Sequence, residues 1–228
     1  MIEPESSEGV FIRENIPFWK ELTETQRRIV LSGINVNNIH RGVQLVRSSS
    51  ECSGMILLKE GQVRAFLSSE DGREVTLYRL LAGDACIMTA ACMIQSVRFQ
   101  IYLEVEKDVR MFVIPQTIFI RLNSENNAVK DYTMNVLADR FSEAVGIIDK
   151  MVFGSVPARI AGFLIEKHEL DGTEMIDITH DTIAKNIGTA REVVSRVLKS
   201  FENKGIVKLS RGNVTILNIR KLFDLTDS

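Results

Sequence analysis

Thr179-His180-Asp181-Thr182-Ile183-Ala184-Lys185-Asn186-Ile187-Gly188-Thr189-Ala190-Arg191-Glu192-Val193-Val194-Ser195-Arg196-Val197-Leu198 is the stretch that decides how this chain is built. Thr179 to Ile187 reads as a short helix, with Thr179 as N-cap and Ile183, Ala184 and Ile187 on its inner face. Gly188 stops it, as a glycine after a helix does. Thr189 then opens a second helix, because Thr189-Ala190-Arg191-Glu192 fits a capping box whose two side chains satisfy each other's free backbone N–H groups. Two helices about a glycine turn form the helix-turn-helix pattern.

The second helix has two faces. Val194, Val197, Leu198 and Phe201 stand at i, i+3, i+4 and i+7 and form one buried stripe. Arg191, Glu192, Ser195, Arg196 and Lys199 occupy the other side. Arginine pairs bidentately with guanine, glutamate accepts from cytosine, and lysine suits phosphate. Glu192 has two readings, cap and base contact, which are compatible. Gly205 ends this helix. Ile206–Leu209 and Val214–Leu217 then read as a hairpin turned at Ser210-Arg211-Gly212-Asn213, a wing whose Arg211 reaches backbone phosphate. The DNA-contact set is completed by Thr189 at the helix start.

Outside this region the formal charge says little, at −2 for 228 residues. Its distribution says more: Lys185 to Arg220 holds eight Lys and Arg against two Glu, a local charge of +6. Composition, with 45% hydrophobic and 25% charged residues, is that of a soluble globular protein. No apolar run reaches the roughly 18 residues of a membrane span. The acidic, polar Met1–Gly9 does not read as a secretory signal, so a cytoplasmic location and no membrane partner are expected. Cys52, Cys86 and Cys92 are too scattered for a disulfide framework and too few for an all-cysteine iron–sulfur cluster.

From about Ile39 to Ile114 the pattern is short strands and turns, including Met55–Lys59, Gln62–Leu67, Glu74–Leu80 and Gln100–Val105. Gly61, Gly72 and Gly83 recur every 11 residues, the period of a strand-plus-turn unit in a sandwich or barrel-like roll. A short helix, roughly Thr23 to Gly33, precedes it. From about Ala128 to Phe153 a long helix is expected, either a coiled-coil dimer seam or a linker helix lying on the β-domain. Ser155-Val156-Pro157 starts a further helix to Leu170, broken at Asp171-Gly172, and Ile176–Ile178 is extended.

With these residues in view, the chain resembles the cyclic-AMP receptor protein / fumarate–nitrate reductase regulator (Crp/Fnr) family of bacterial transcription regulators over nearly its whole length. The resemblance is strongest in Ile178–Ala184 and Gly188–Leu198. The family's R-E-x-x-x-R pattern is matched by Arg191, Glu192 and Arg196, which the resemblance makes the principal base readers. It implies an α+β chain: a β-roll effector domain of cyclic-nucleotide-binding type over 1–127, a dimerisation helix over 128–154, and a winged helix-turn-helix over 155–228. It also implies a homodimer on a palindromic promoter site, and RNA polymerase as a partner.

Glu60-Gly61-Gln62-Val63-Arg64 and Leu81-Ala82-Gly83-Asp84 match landmarks of the family's effector half. The likeness then fades. The stretch that would hold a cyclic nucleotide, Ala85-Cys86-Ile87-Met88-Thr89-Ala90-Ala91-Cys92-Met93, is uncharged, and no charge follows until Arg98. A cyclic phosphate would find no side-chain cation there, so cyclic AMP is not expected. The N-terminus lacks the cysteine cluster of the oxygen-sensing branch, and His40 is the only histidine in this half, which leaves haem without support and no metal site assigned. The effector or cofactor is therefore unknown. Three readings stay open: Cys86 and Cys92 as a thiol switch, the same cysteines as small core hydrophobes, or an uncharged ligand against Met88.

Two other readings of the chain stand beside this one. A metal-dependent β-barrel enzyme needs several histidines and a carboxylate in the roll, and only His40 is available, so no enzyme activity is expected. A ligand-binding regulatory module acting through protein contacts is the alternative to DNA binding, and the basic face of the second helix argues against it.

Overall fold

The computed structural model describes residues 2–47, 54–70, 72–86 and 101–226. Met88 and Cys92, like Cys52, lie outside the described residues. The chain divides into two compact units, Met1–Leu67 with Leu77–Glu143, and Ser68–Thr76 with Ala144–Ser228.

The first unit opens with α1 (Ser7–Asn15), a short 3-10 turn (Trp19–Glu21) and α2 (Glu24–Gly33). Helix α2 is the one expected from Thr23, and the reason is local: Thr23 Oγ1 accepts from Gln26 N–H at 3.3 Å and Gln26 Oε1 from Thr23 N–H at 3.0 Å, a complete capping box. Strands β1 (Asn35–Ile39), β2 (Gln44–Arg47), β3 (Gly54–Ser68), β4 (Glu74–Leu80), β5 (Ala85–Cys86) and β6 (Ile101–Pro115) follow, then α3 (Gln116–Glu125) and α4 (Asn127–Val152). The described sheet runs β1-β6-β3-β4, with β2 on β6 and β5 on β3. The pairings of β6 with β1, β2 and β3 are antiparallel.

Side chains alternate across a strand, and β3 uses both faces. Met55 and Leu57 join Phe112 and Ile114 in a core capped by the helices, including Trp19, Phe119 and Val129. Ile56 and Leu58 join Val63, Leu103 and Val105 on the other side. Burial on both faces explains the unbroken apolar run Met55–Leu58. One expectation is corrected: Met55–Lys59 and Gln62–Leu67 are not two strands but one, β3, with register shifts near Glu60 and Gln62. Gly61 sits there at φ +93°, and a Cβ would meet Asp108 O at 2.1 Å, so the kink accepts only glycine.

The second unit contains α5 (Val156–Asp171), β7 (Met175–Asp177), α6 (His180–Asn186), α7 (Arg191–Asn203), β8 (Val207–Ser210), β9 (Asn213–Ile216) and α8 (Ile219–Thr226). Ser155 caps α5 through Ala158 N–H, Pro157 lies in the first turn where its missing N–H is not needed, and Gly172 closes the helix in the left-handed conformation. A three-stranded sheet, β7-β9-β8, backs the helices. Ile160, Leu164, Ile183, Val194, Leu198, Val207 and Val214 form its core. Among the described residues no helix is long and apolar enough to cross a membrane.

Candidate nucleic-acid interface

Helices α6 and α7 meet at Ile187-Gly188-Thr189-Ala190. Gly188 turns the chain at φ +67°, and a Cβ there would stand 2.7 Å from Val75 Cγ2. Thr189 N–H donates to Ala184 O at 3.0 Å, which keeps Thr189 in the turn. Helix α7 therefore starts later than expected: Ala190 is its N-cap and no side-chain cap bond forms, so the Thr189–Glu192 capping box is absent. Glu192 is exposed in the first turn of α7, where a negative charge suits the helix N-terminus. Thr189 remains next to α7 but outside it.

The buried stripe of α7 is as the periodicity indicated, with Val194, Leu198 and Phe201 buried and Val197 packed against the core. Arg191, Glu192, Arg196 and Lys199 are exposed and Ser195 is half-buried. The positions i, i+1, i+4, i+5 and i+8 place these five side chains on one side of the helix. Arg211 lies between β8 and β9, exposed at the tip of the hairpin, where Ser210 pairs with Asn213.

Neighbours that the sequence reading did not assign organise this face. Asp181, in the first turn of α6, lies 3.5 Å from Arg191 Nη1. His180 Nδ1 and Ser195 Oγ are 2.8 Å apart. Lys199 Nζ reaches Glu202 Oε2 at 2.7 Å, and Leu209 N–H donates to Glu202 Oε1 at 3.0 Å, so Glu202 joins α7 to the β8–β9 hairpin. The Lys199 ammonium, and then the Leu209 N–H, hold the Glu202 carboxyl below its ordinary value. The turn is braced within the same unit: Thr76 Oγ1 donates to Asn186 Oδ1 at 2.7 Å, Val75 bridges Ile187, and Arg159 Nη1 donates to Ile187 O at 2.9 Å. Apart from Lys199–Glu202, which stand three residues apart on one helix, these pairings join different elements and have no sequence period.

The other candidate site lies in the first unit. Cys86 is buried in the roll core, paired in register with Ile56. Its Sγ is 3.7 Å from Tyr78 Oη, and burial, then Cys86, pushes the Tyr78 phenol well above its ordinary value. The Arg140 guanidinium of α4 lies 4.0 Å over the Tyr78 ring and donates to Glu143 Oε2 at 2.6 Å. A cleft of about 390 Å³ opens beside them, lined by Ala85, Val136, Asp139, Arg140, Ser142 and Glu143. Arg140 is a cation at this cleft that the sequence reading, confined to the strand after Asp84, did not place. Among the described residues no group of three His, Cys, Asp or Glu is arranged to hold a metal ion.

Residues 158–225 match the family model of the Crp-like helix-turn-helix domain. The fold extends the match. A crystal structure from Eubacterium rectale, assigned to the crp/fnr family of transcriptional regulators, is 35% identical, covers 94% of this chain and 100% of its own, and superposes with a TM-score of 0.90. The chain belongs to the Crp/Fnr family. Crp/Fnr relatives also appear by sequence. The transcriptional regulator SdrP of Thermus thermophilus is 27% identical over 176 residues, 74% of this chain and 82% of its own. The cAMP-activated global transcriptional regulator Vfr of Pseudomonas aeruginosa is 24% identical over 187 residues, 77% and 86% of the two chains. This protein is thus a Crp/Fnr-type transcriptional regulator with a helix-turn-helix DNA-binding domain, as its residues and the resemblance both indicated.

Proposed function

We propose that the protein binds a palindromic promoter site as a homodimer and that a signal sensed by the roll controls this binding. The observation that carries the reading is α7, which buries Val194, Leu198 and Phe201 and turns Arg191, Glu192, Arg196 and Lys199 to solvent on one side, with Ser195 half-buried among them. In this reading Arg191, Glu192 and Arg196 read base edges, while Ser195, Lys199, Thr189 and the wing's Arg211 hold the backbone. RNA polymerase is the protein partner, and the cytoplasm the location.

The dimer rests on α4. Its inner face, with Val129 and Thr133 buried, packs on its own domain. Its outer face leaves Met134, Phe141, Val145, Ile148 and Val152 exposed, with Ala138 between them. These positions alternate four and three apart, the spacing of a coiled-coil seam, and a second copy of α4 supplies the matching face.

The cleft beside Arg140 and Tyr78 is the proposed effector site. Vfr is named as cAMP-activated, but this chain has no charged residue between Asp84 and Arg98, and Arg140 already lies against Tyr78 and Glu143. A small effector other than cyclic AMP is favoured. The burial of Cys86 supports its reading as a core hydrophobe over a thiol switch.

The deciding experiment is selection of binding sites from a random duplex pool by the full-length protein, followed by gel-shift titration across salt. Enrichment of an inverted repeat, with affinity falling steeply as salt rises through counterion release, supports the reading. No enrichment and no salt dependence would transfer the protein to the alternative, a regulatory module working through protein contacts.

A further inference from the structure

The first turn of α6 touches the reading helix twice, and neither contact is needed to build the core. Asp181 stands 3.5 Å from Arg191 Nη1, with both side chains more than half exposed at 58% and 63%. His180 Nδ1 stands 2.8 Å from Ser195 Oγ. An exposed pair of this kind adds little to stability, because water and salt screen it, so stability does not account for an acidic residue placed inside a basic face. Arginine has five N–H donors in a rigid fork, and a carboxylate on one Nη leaves the others free for a base. Holding a long side chain before it binds also removes part of the rotamer entropy that binding would otherwise cost.

We propose that Asp181 is a positioning residue for sequence recognition: it orients the Arg191 guanidinium toward the base edge, while His180 fixes Ser195 beside it. This rests on the reading of α7 as the DNA-reading helix. The carboxylate has a second consequence. It brings a negative charge close to the phosphates, which weakens binding to DNA that offers Arg191 no guanine. Asp181 thus raises the ratio of specific to non-specific affinity from both ends.

The test uses the full-length protein, its selected duplex and a scrambled duplex of equal length. Asp181→Asn keeps size and shape and removes the charge. The expected result is a specificity ratio lower by about three- to tenfold, because a pair of this strength is lost and a phosphate contact is gained. Affinity for the scrambled duplex should stay level or rise. Asp181→Glu should recover part of the ratio, and in an Arg191→Ala background Asp181→Asn should leave the ratio unchanged, since only the repulsion of phosphate, common to both duplexes, is then removed. A fall in both affinities together, or an unchanged ratio in Asp181→Asn while Arg191→Ala loses site preference, overturns the proposal and leaves the DNA reading intact. Absence of site preference in the unmodified protein overturns both.

Discussion

Two sets of cation–carboxylate pairs in this molecule, one in the roll and one on α7, do different work. In the roll, Arg64 meets Glu104 at 2.8 Å and Arg79 meets Glu106 at 2.8 Å, with the two arginine side chains only 5% and 3% exposed. Gln62 also donates to Glu106 at 2.7 Å. On the reading face, Arg191 meets Asp181 and Lys199 meets Glu202, with both cations above 60% exposed. The chemistry is shared and the solvent is not. Buried pairs are fixed, because removing one partner strands a charge away from water. Surface pairs exchange, because water and salt have already weakened them. The first set holds the sheet together, and the second leaves cations available to a phosphate or a base.

Four substitutions break or sharpen this contrast. Glu106→Ala should be the most damaging, costing about 3–5 kcal/mol of unfolding free energy in a denaturant titration, as loss of a buried charge partner does. A cost under 1 kcal/mol would mean the roll pairs behave like surface ones. Phe141→Glu, on the exposed face of α4, should leave the fold intact and remove about 1.5–3 kcal/mol of apolar contact per copy, read as a drop to monomer mass in sedimentation. Arg191→Ala should change stability by less than about 0.5 kcal/mol, yet lose about 1–3 kcal/mol of base discrimination in a competition gel shift. The smallest effect concerns Glu202. Its carboxyl is held below the ordinary glutamate value, first by Lys199 and then by the Leu209 N–H, so its contribution is present at neutral pH and is lost as pH falls through the lowered value. The protection factor of the Leu209 amide, its exchange rate relative to the free-peptide rate at the same pH, should fall on acidification in that range, and Glu202→Gln should flatten this dependence.

The two regions also differed in how far they could be read without coordinates. The recognition helix was legible because its stripe repeats every turn within a dozen residues. Its start was not: the Thr189–Glu192 spacing matched a capping box, but the Gly188 turn bonds Thr189 back to Ala184 and leaves Ala190 as the cap. In the roll, Glu74–Leu80 was read at its observed bounds, whereas β3 was divided at Glu60-Gly61 because a bulge and a turn both call for glycine there. Helices α1 and α3 were not anticipated, and neither was Arg140 at the cleft, which sits on α4, far along the chain from Tyr78.

What the sequence determined by itself was carried by short-range pattern: the helix-turn-helix with its wing, the basic face of α7, the strand-rich half and the long helix, together with the motif residues on which the family resemblance rests. What the tertiary structure decided was which charge meets which. Asp181 on Arg191, His180 on Ser195, Arg64 on Glu104 and Arg140 over Tyr78 join residues from different elements. Periodicity acts over one or two turns of chain, while an ion pair forms wherever the packed core brings two side chains within a few ångströms, and burial then decides whether that pair is structural or open to exchange.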